Sequence, residues 1–494
     1  MDAQSTMDSQ PTRPKGLMVM PQELLLLICS YLTTPEYGML RRSCKHLEAS
    51  LFRAFAKEFF TKRQFMFTEF SLQALVDISR SRYGPYLTYL IIGVERPKLL
   101  MPNGTIPVGR TRLHASLLPP EDERYNKYRE AILSHELLIS SGQDHEMLVQ
   151  ALENLPNLTT IGMRDWSSNT RHRDGETAKW NSYGKTTFLR ETGMNLARTS
   201  RASRSSSSDI YPPHVFRTIL RALGKSKTRP ERFEVILRQA SLEDSTFYLP
   251  RYLESTITPV LSNLKALFLD LNNCFPGPRS DNTPRSPSFE LKEFLCKAKS
   301  LEHLRLNFQH WDSPSDYRQL LQWLSMHPDS FQNQQASSIT MGTPRDPIRF
   351  ANLSRIDIGF VDIHPGDLIR LYKTYDSTLR SIGLHGVILR AENHEGEDAG
   401  WKGKINLWVK LLDMLSVAGL AQLSEISIVN PCRTMQEQRI RRLEHGIKCE
   451  SSPSVFEIRW SGDNLNQGLK EIKYAMVDGM HSKGVPPTML PPID

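Results

Sequence analysis

The sequence predicts an α/β protein: a helical module at the N-terminus followed by stacked strand–helix units. Three observations carry that prediction. Residues 20–60 hold two apolar helical faces separated by Thr33-Thr34-Pro35-Glu36. Seven later segments place Leu or a similar residue at relative positions 0, 3 and 5. A helical apolar pattern precedes most of them, so strand and helix alternate along the chain.

Residues 1–16, MDAQSTMDSQPTRPKG, have no apolar core and are expected to be a disordered leader. The helical module is expected over 17–62. Pro21 suits a first helical turn, where its missing N–H has no intrahelical partner. Leu24, Leu25, Ile28 and Leu32 follow at helical spacing, and Leu26 and Leu27 widen the apolar surface. Thr33 and Glu36 have the spacing of a capping box, and Pro35 fits the first turn of a second helix. Tyr37, Leu40, Cys44, Leu47, Leu51, Phe55 and Phe59 then step by three or four along one second helix.

The order of these residues resembles the F-box. Its hydrophobic–Pro opening is similar to Met20-Pro21, its acidic residue to Glu23, its aliphatic helix to Leu24–Ile28 and its close to Tyr31-Leu32. Arg42-Ser43-Cys44-Lys45 is similar to its second-helix stretch, while Met20 stands where Leu is usual. The resemblance covers roughly a tenth of the chain. It implies docking on the Skp-type adaptor of a cullin-RING ubiquitin ligase. The docking residues would be Pro21, Leu24, Leu25, Ile28 and Leu32, with Leu40 and Leu47 from the second helix; packing on the first helix is the alternative for the last two.

From residue 63 the chain reads as repeats to about 480. Leu72, Leu75 and Val76 suggest a short helix and Gly84-Pro85 a turn. The patterned strands are Leu87/Leu90/Ile92, Leu158/Ile161/Met163, Leu264/Leu267/Leu269, Leu301/Leu304/Leu306, Leu353/Ile356/Ile358, Leu379/Ile382/Leu384 and Leu423/Ile426/Ile428. Positions 3 and 5 share one face of a strand, and position 0 closes the turn before it. Phe233, Val235 and Leu237 alternate without the full pattern. Helices are expected at Met147–Leu155, Val215–Leu223, Leu291–Cys296, Leu368–Tyr375 and Leu407–Leu415. This portion looks like an irregular leucine-rich-repeat solenoid, in which neighbours cover one another's apolar faces. Successive strands start 71, 106, 37, 52, 26 and 44 residues apart, wider than the roughly 20–29 of regular repeats. Loop insertions at about 98–120, 165–213, 275–288, 332–347 and 390–403 take up the excess; the second ends in a basic, Ser-rich linker at Arg198–Ser208. An ordinary α/β domain with Leu-rich strands is the alternative. Met435–Cys449 is a candidate basic helix, Val455–Trp460 alternates like one more strand, and 481–494 is expected to be a flexible tail.

No run approaches the roughly 18–20 apolar residues of a membrane span, so the expected location is cytoplasm or nucleus. A net charge of +8 over 494 residues, mostly dispersed, does not point to nucleic acid. Cysteines 29, 44, 274, 296, 432 and 449 form no Cys-x-x-Cys pair, so neither a metal site nor a disulfide framework is expected. His135-Glu136 and His145-Glu146 begin like a zinc-protease motif, but Ile139 and Val149 stand where the second ligand belongs. His172-Arg173-Asp174 copies a kinase tripeptide, but Lys179 replaces the metal-binding Asn and no phosphate loop accompanies it. No catalytic motif and no cofactor motif stands out. The resemblance therefore implies a non-catalytic adaptor, with a protein substrate held on the open strand face. Its candidate substrate contacts are Arg164, Asp270, Arg305, Asn307, Asp357 and His385, alternating with the inward positions. A repeat scaffold without a ligase and an enzyme of unrecognised type are the alternatives.

Overall fold

The structure is a computed structural model that describes residues 16–97, 105–108, 111–114, 123–170, 172–175, 178–194, 196, 211–238, 240–272, 288–310, 314–326, 348–390, 407–431 and 457–481. The expected leader except residue 16, the Ser-rich linker, the expected loops at 275–288 and 390–403 except residues 288 and 390, the loop at 332–347, the basic helix at 435–449 and the tail after residue 481 lie outside these residues.

The N-terminal module has three helices: α1 (Gln22–Ser30), α2 (Thr34–Ser43) and α3 (Lys45–Phe60). The single second helix expected from Tyr37 to Phe59 is broken at Cys44. That residue is extended (φ −157°, ψ 160°), and its Sγ accepts a hydrogen bond from Leu47 N at the start of α3. The spacing hides the break because the two helices pack against each other and keep a shared apolar face. Leu25, Cys29, Tyr37, Leu47, Leu51 and Phe59 form the module's own core. Glu36 Oε2 accepts from Thr33 N (2.8 Å) and Thr33 Oγ1 (2.7 Å), which starts α2 with the expected cap.

Strand β1 (Lys62–Met66) follows α3 directly, then α4 (Glu69–Arg80), β2 (Tyr89–Gly93) and a hairpin of β3 (Thr105–Val108) and β4 (Thr111–His114). Next come α5 (Glu123–Ser140), α6 (Gln143–Leu152), β5 (Thr160–Arg164), the short pair β6 (Ser168–Thr170) and β7 (Lys179–Trp180), α7 (Lys185–Thr192) and α8 (Tyr211–Ser226). The chain continues with β8 (Arg232–Ile236), α9 (Arg251–Asn263), β9 (Ala266–Asn272), α10 (Phe289–Leu295), β10 (His303–His310) and α11 (Pro314–Leu324). It closes with β11 (Arg355–Gly359), β12 (Asp362–Ile363), α12 (Pro365–Thr374), β13 (Ser381–His385), β14 (Ile388–Leu389), α13 (Leu407–Val417), β15 (Glu425–Val429), β16 (Glu457–Ser461) and α14 (Leu465–His481). The insertions expected as loops near 98–120 and 165–213 therefore carry hairpins, and the second also carries α7.

Ten strands form one sheet in chain order, β1-β2-β5-β8-β9-β10-β11-β13-β15-β16. All pair in parallel except β16, which is antiparallel to β15. A parallel neighbour demands a long crossover, and helices supply it. All seven patterned strands begin two residues after their position-0 leucine, from Tyr89 after Leu87 to Glu425 after Leu423. Those leucines and the position-3 and position-5 residues are buried in one continuous core with the helices. In β8 the leucine's place is taken by a buried proline, Pro230. Helix α4 packs on α6, α6 on α8 and α8 on α9; α11 packs on α12, α12 on α13 and α13 on α14. The helices thus cover the core face, and even-numbered strand positions turn to the other.

Candidate interaction surfaces

The module's assigned docking residues divide by exposure. Pro21 is exposed and Leu24 is 48% exposed, whereas Ile28, Leu32 and Leu40 are half-buried. Leu25 and Leu47 are 1% and 3% exposed and belong to the internal core, so neither faces solvent. Helical spacing alone could not separate them, because α1 is apolar on nearly every side. The structure adds Val19 (62%), Leu27 (54%), Tyr31 (83%) and Met39 (62%) to the exposed apolar set. Leu24, Leu27 and Tyr31 are spaced i, i+3, i+7, a second helical stripe that sequence could have revealed.

The kinase-like tripeptide has a structural job. His172–Asp174 forms a 3-10 turn against the module. Arg173 Nε and Nη2 donate to the Glu58 carboxylate (2.8 and 3.0 Å), and Nη1 donates to the carbonyls of Leu32 (2.8 Å) and Cys29. Its guanidinium lies 5.2 Å from the Tyr37 ring centre. Asp174 accepts from Thr34 N (2.7 Å) and Thr34 Oγ1 (2.8 Å). A cation thus meets the C-terminal end of α1 and an anion the N-terminal end of α2, the favourable sense for both helix dipoles. Trp180 adds an aromatic contact to Phe59 at 6.0 Å.

On the sheet's open face the strands are in register, so side chains line up in rows. Glu234, Phe268, Arg305, Asp357, Gly383 and Ser427 are successive partners across β8 to β15. The next row toward the strand starts runs Arg232, Ala266, His303, Arg355, Ser381, Glu425. Asp270, Asn307, Gly359 and His385 make the third. Of the sequence-nominated residues, Asp270, Arg305, Asn307 and Asp357 therefore come together on three adjacent strands. Arg164 sits apart on β5, and His385 lies to the side on β13, 5.0 Å from the Phe360 ring.

Most of these groups are engaged within the sheet. Arg164 Nη2 donates to Tyr89 Oη (2.8 Å) and lies 3.7 Å from Glu234, to which Tyr89 Oη also donates. His303 Nε2 is 2.8 Å from Asp357 Oδ2, and Arg355 Nε donates to the same carboxylate at 3.1 Å. Burial alone would raise the Asp357 carboxyl, but His303, Arg355 and Arg305 together hold it below its ordinary range. Asp270 is buried and its pKa is pushed up to about 7, despite Arg305, Asn307 and the Leu237 N–H, which all favour the charged form. Its Oδ2 accepts from Leu237 N, and Asp165 accepts from Arg238 N and Ala240 N (2.8 and 3.0 Å), so the two carboxylates tie down the segment after β8. Arg164, Asp270 and Asn307 are buried, and Arg305, Asp357 and His385 are half-buried.

Two glycines make room for these flat-lying side chains. A Cβ on Gly383 would fall 2.2 Å from Asp357 Oδ1, and one on Gly359 2.3 Å from Asn307 Oδ1. Sequence reasoning missed Tyr89, Arg232, His303 and Arg355 on this face. They occupy position 2 of their units, and the same two-residue period that nominated positions 4 and 6 would have found them.

Among the described residues, no three His, Cys, Asp or Glu side chains converge as a metal site. No described helix is long and apolar enough to cross a membrane. No protein-family model matches the chain, and no characterised protein matches it.

Proposed function

We propose that the chain is a substrate-recognition adaptor of a cullin-RING (SCF-type) ubiquitin ligase, itself non-catalytic. One observation carries this reading: Leu24, Leu27, Tyr31 and Met39, all exposed, lie in the stretch whose residue order resembles the F-box, with exposed Leu17 and Val19 just before it. So many exposed apolar side chains on one small helical module favour a protein contact, because leaving them in water is unfavourable. The expected partner is the Skp-type adaptor of the ligase. The parallel sheet in chain order, with helices on one face, supports an irregular leucine-rich-repeat solenoid whose open face holds a protein substrate. Tethering the substrate beside the charged conjugating enzyme raises its effective concentration, which is how a protein without catalytic groups accelerates transfer. The test is co-purification of the full chain with a Skp-type adaptor. Leu24→Asp with Leu27→Asp should abolish it without lowering the melting temperature, since both side chains face solvent. Retained binding in that variant, or none in the parent chain, overturns the docking assignment.

A second reading, a repeat scaffold capped by its N-terminal helices, is favoured by the Arg173 and Asp174 contacts that seat the module on the sheet domain. It predicts no adaptor binding by the parent chain.

A further inference from the structure

Around Phe268 the open face of the sheet separates its charges by depth. Glu234 and Asp270 are 5% and 3% exposed, whereas the Arg232 side chain is 47% exposed. Arg232 and Arg305 flank Phe268, with guanidinium carbons 5.6 and 5.9 Å from its ring centre. His303 packs edge-on to the same ring at 4.6 Å. Arg305 makes no hydrogen bond or ion pair to any described residue, although Asp270 and Asp357 both feel its charge. Its forked N–H donors are thus held over an aromatic platform, half-buried and uncommitted. Arg355 is committed differently, split between Asp357 (3.1 Å) and Glu425 (3.5 Å). A protein approaching Phe268 therefore meets Arg232 and Arg305, while Glu234 and Asp270 are buried.

We propose that the centre of the sheet face, built on Arg232, Phe268 and Arg305, binds an acidic protein segment. This names the substrate chemistry of the surface that the proposed function assigns to the substrate, and it rests on that reading. A partner carboxylate can accept two parallel N–H bonds from Arg305, while Arg232, whose Nη1 donates to Glu234 at 3.3 Å, turns its remaining N–H donors to solvent as a second cation. The half-buried setting weakens solvent screening around Arg305 compared with a cation on an exposed helix. A basic segment over Phe268 would meet the same two guanidinium groups while Glu234 and Asp270 stay buried, and like-charge opposition disfavours it.

The test measures fluorescence anisotropy of two labelled peptides of equal length, one rich in Asp and Glu and one rich in Lys, with the full chain. The acidic peptide should bind, the lysine peptide should not, and added salt should weaken binding. Arg232→Met with Arg305→Met should cut affinity by about tenfold. Lys410→Met, on an exposed position of α13, should leave it unchanged. Arg305→Met alone should lower it and Arg305→Lys should restore part of it, which keeps the proposal testable if the double variant unfolds. No binding, equal binding of both peptides, or an equal loss in Lys410→Met overturns the proposal. Skp-type adaptor capture by the same samples separates the two readings: failure there with acidic-peptide binding intact refutes only the ligase role, and the reverse refutes only the acidic site.

Discussion

Replacing Arg173 with alanine removes the main polar joint between the helical module and the sheet domain. The side chain is 15% exposed and makes four hydrogen bonds, two to Glu58 and one each to Leu32 O and Cys29 O. Glu58 is 38% exposed, so that ion pair contributes only about 0.5–1 kcal/mol. Each half-buried carbonyl bond contributes about 1 kcal/mol, and the Tyr37 ring about 0.5 kcal/mol. Arg173→Ala should therefore destabilise the docked module by about 3 kcal/mol, a loss of roughly a hundredfold in protection. Native-state hydrogen exchange reads this directly at the amides of residues 22–60, without a global two-state transition. Arg173→Lys should fall in between, since an ammonium keeps the charge but cannot bridge a carboxylate and two carbonyls at once. Arg190→Ala is the control, because the Arg190–Glu191 pair is 3.8 Å apart and exposed. Unchanged protection in Arg173→Ala, or an equal loss in Arg190→Ala, would refute the clamp.

Gly383→Ala should cost about 2–3 kcal/mol, because its Cβ would displace Asp357 from His303 and Arg355. Thermal melts should show the cost shrinking in an Asp357→Ala background; equal costs in both backgrounds would contradict the reasoning. His135 is buried with neither ring nitrogen bonded to a described residue. Burial, with Arg96 and His214 nearby, outweighs Asp144 and brings its pKa down to about 4. Since this lies below the unfolded value of about 6.5, the neutral imidazole's contribution is complete above about pH 6.5 and is lost as pH falls through about 4. His135→Phe should therefore gain stability relative to the parent by about 2–3 kcal/mol between pH 7 and pH 4, measured by denaturant titration. A difference that stays constant with pH would show that His135 does not titrate in this range.

Strand positions were legible in the sequence because their cause is local. Leu, Ile and Met at positions 3 and 5 must share one face, and a buried residue at position 0 must turn the chain into the strand. Leu301, Leu304 and Leu306 illustrate this, with β10 starting at His303. The parallel order followed from the same unit, because a helix between strands leaves parallel pairing as the natural neighbour. β1 escaped because Lys62-Arg63-Gln64 carries no aliphatic signature; its edge place beside β2 comes from pairing alone.

The surfaces divided the same way. Sequence determined that 20–60 is helical and apolar, and that Arg305 and Asp357 face away from the core. It could not determine that Leu25 is internal while Leu24 and Leu27 are exposed, because that depends on where α3 lies. Nor could it show that Arg173 and Asp174, about 140 residues from Cys29 and Thr34, seat the module. Depth was also invisible: Glu234 and Arg232 are two residues apart on one strand, yet the carboxylate is buried against Tyr89 and Arg164 while the guanidinium reaches solvent. Periodicity assigns a side chain to a face. Only the neighbouring strands decide how far it rises from that face, and so which charge a partner meets.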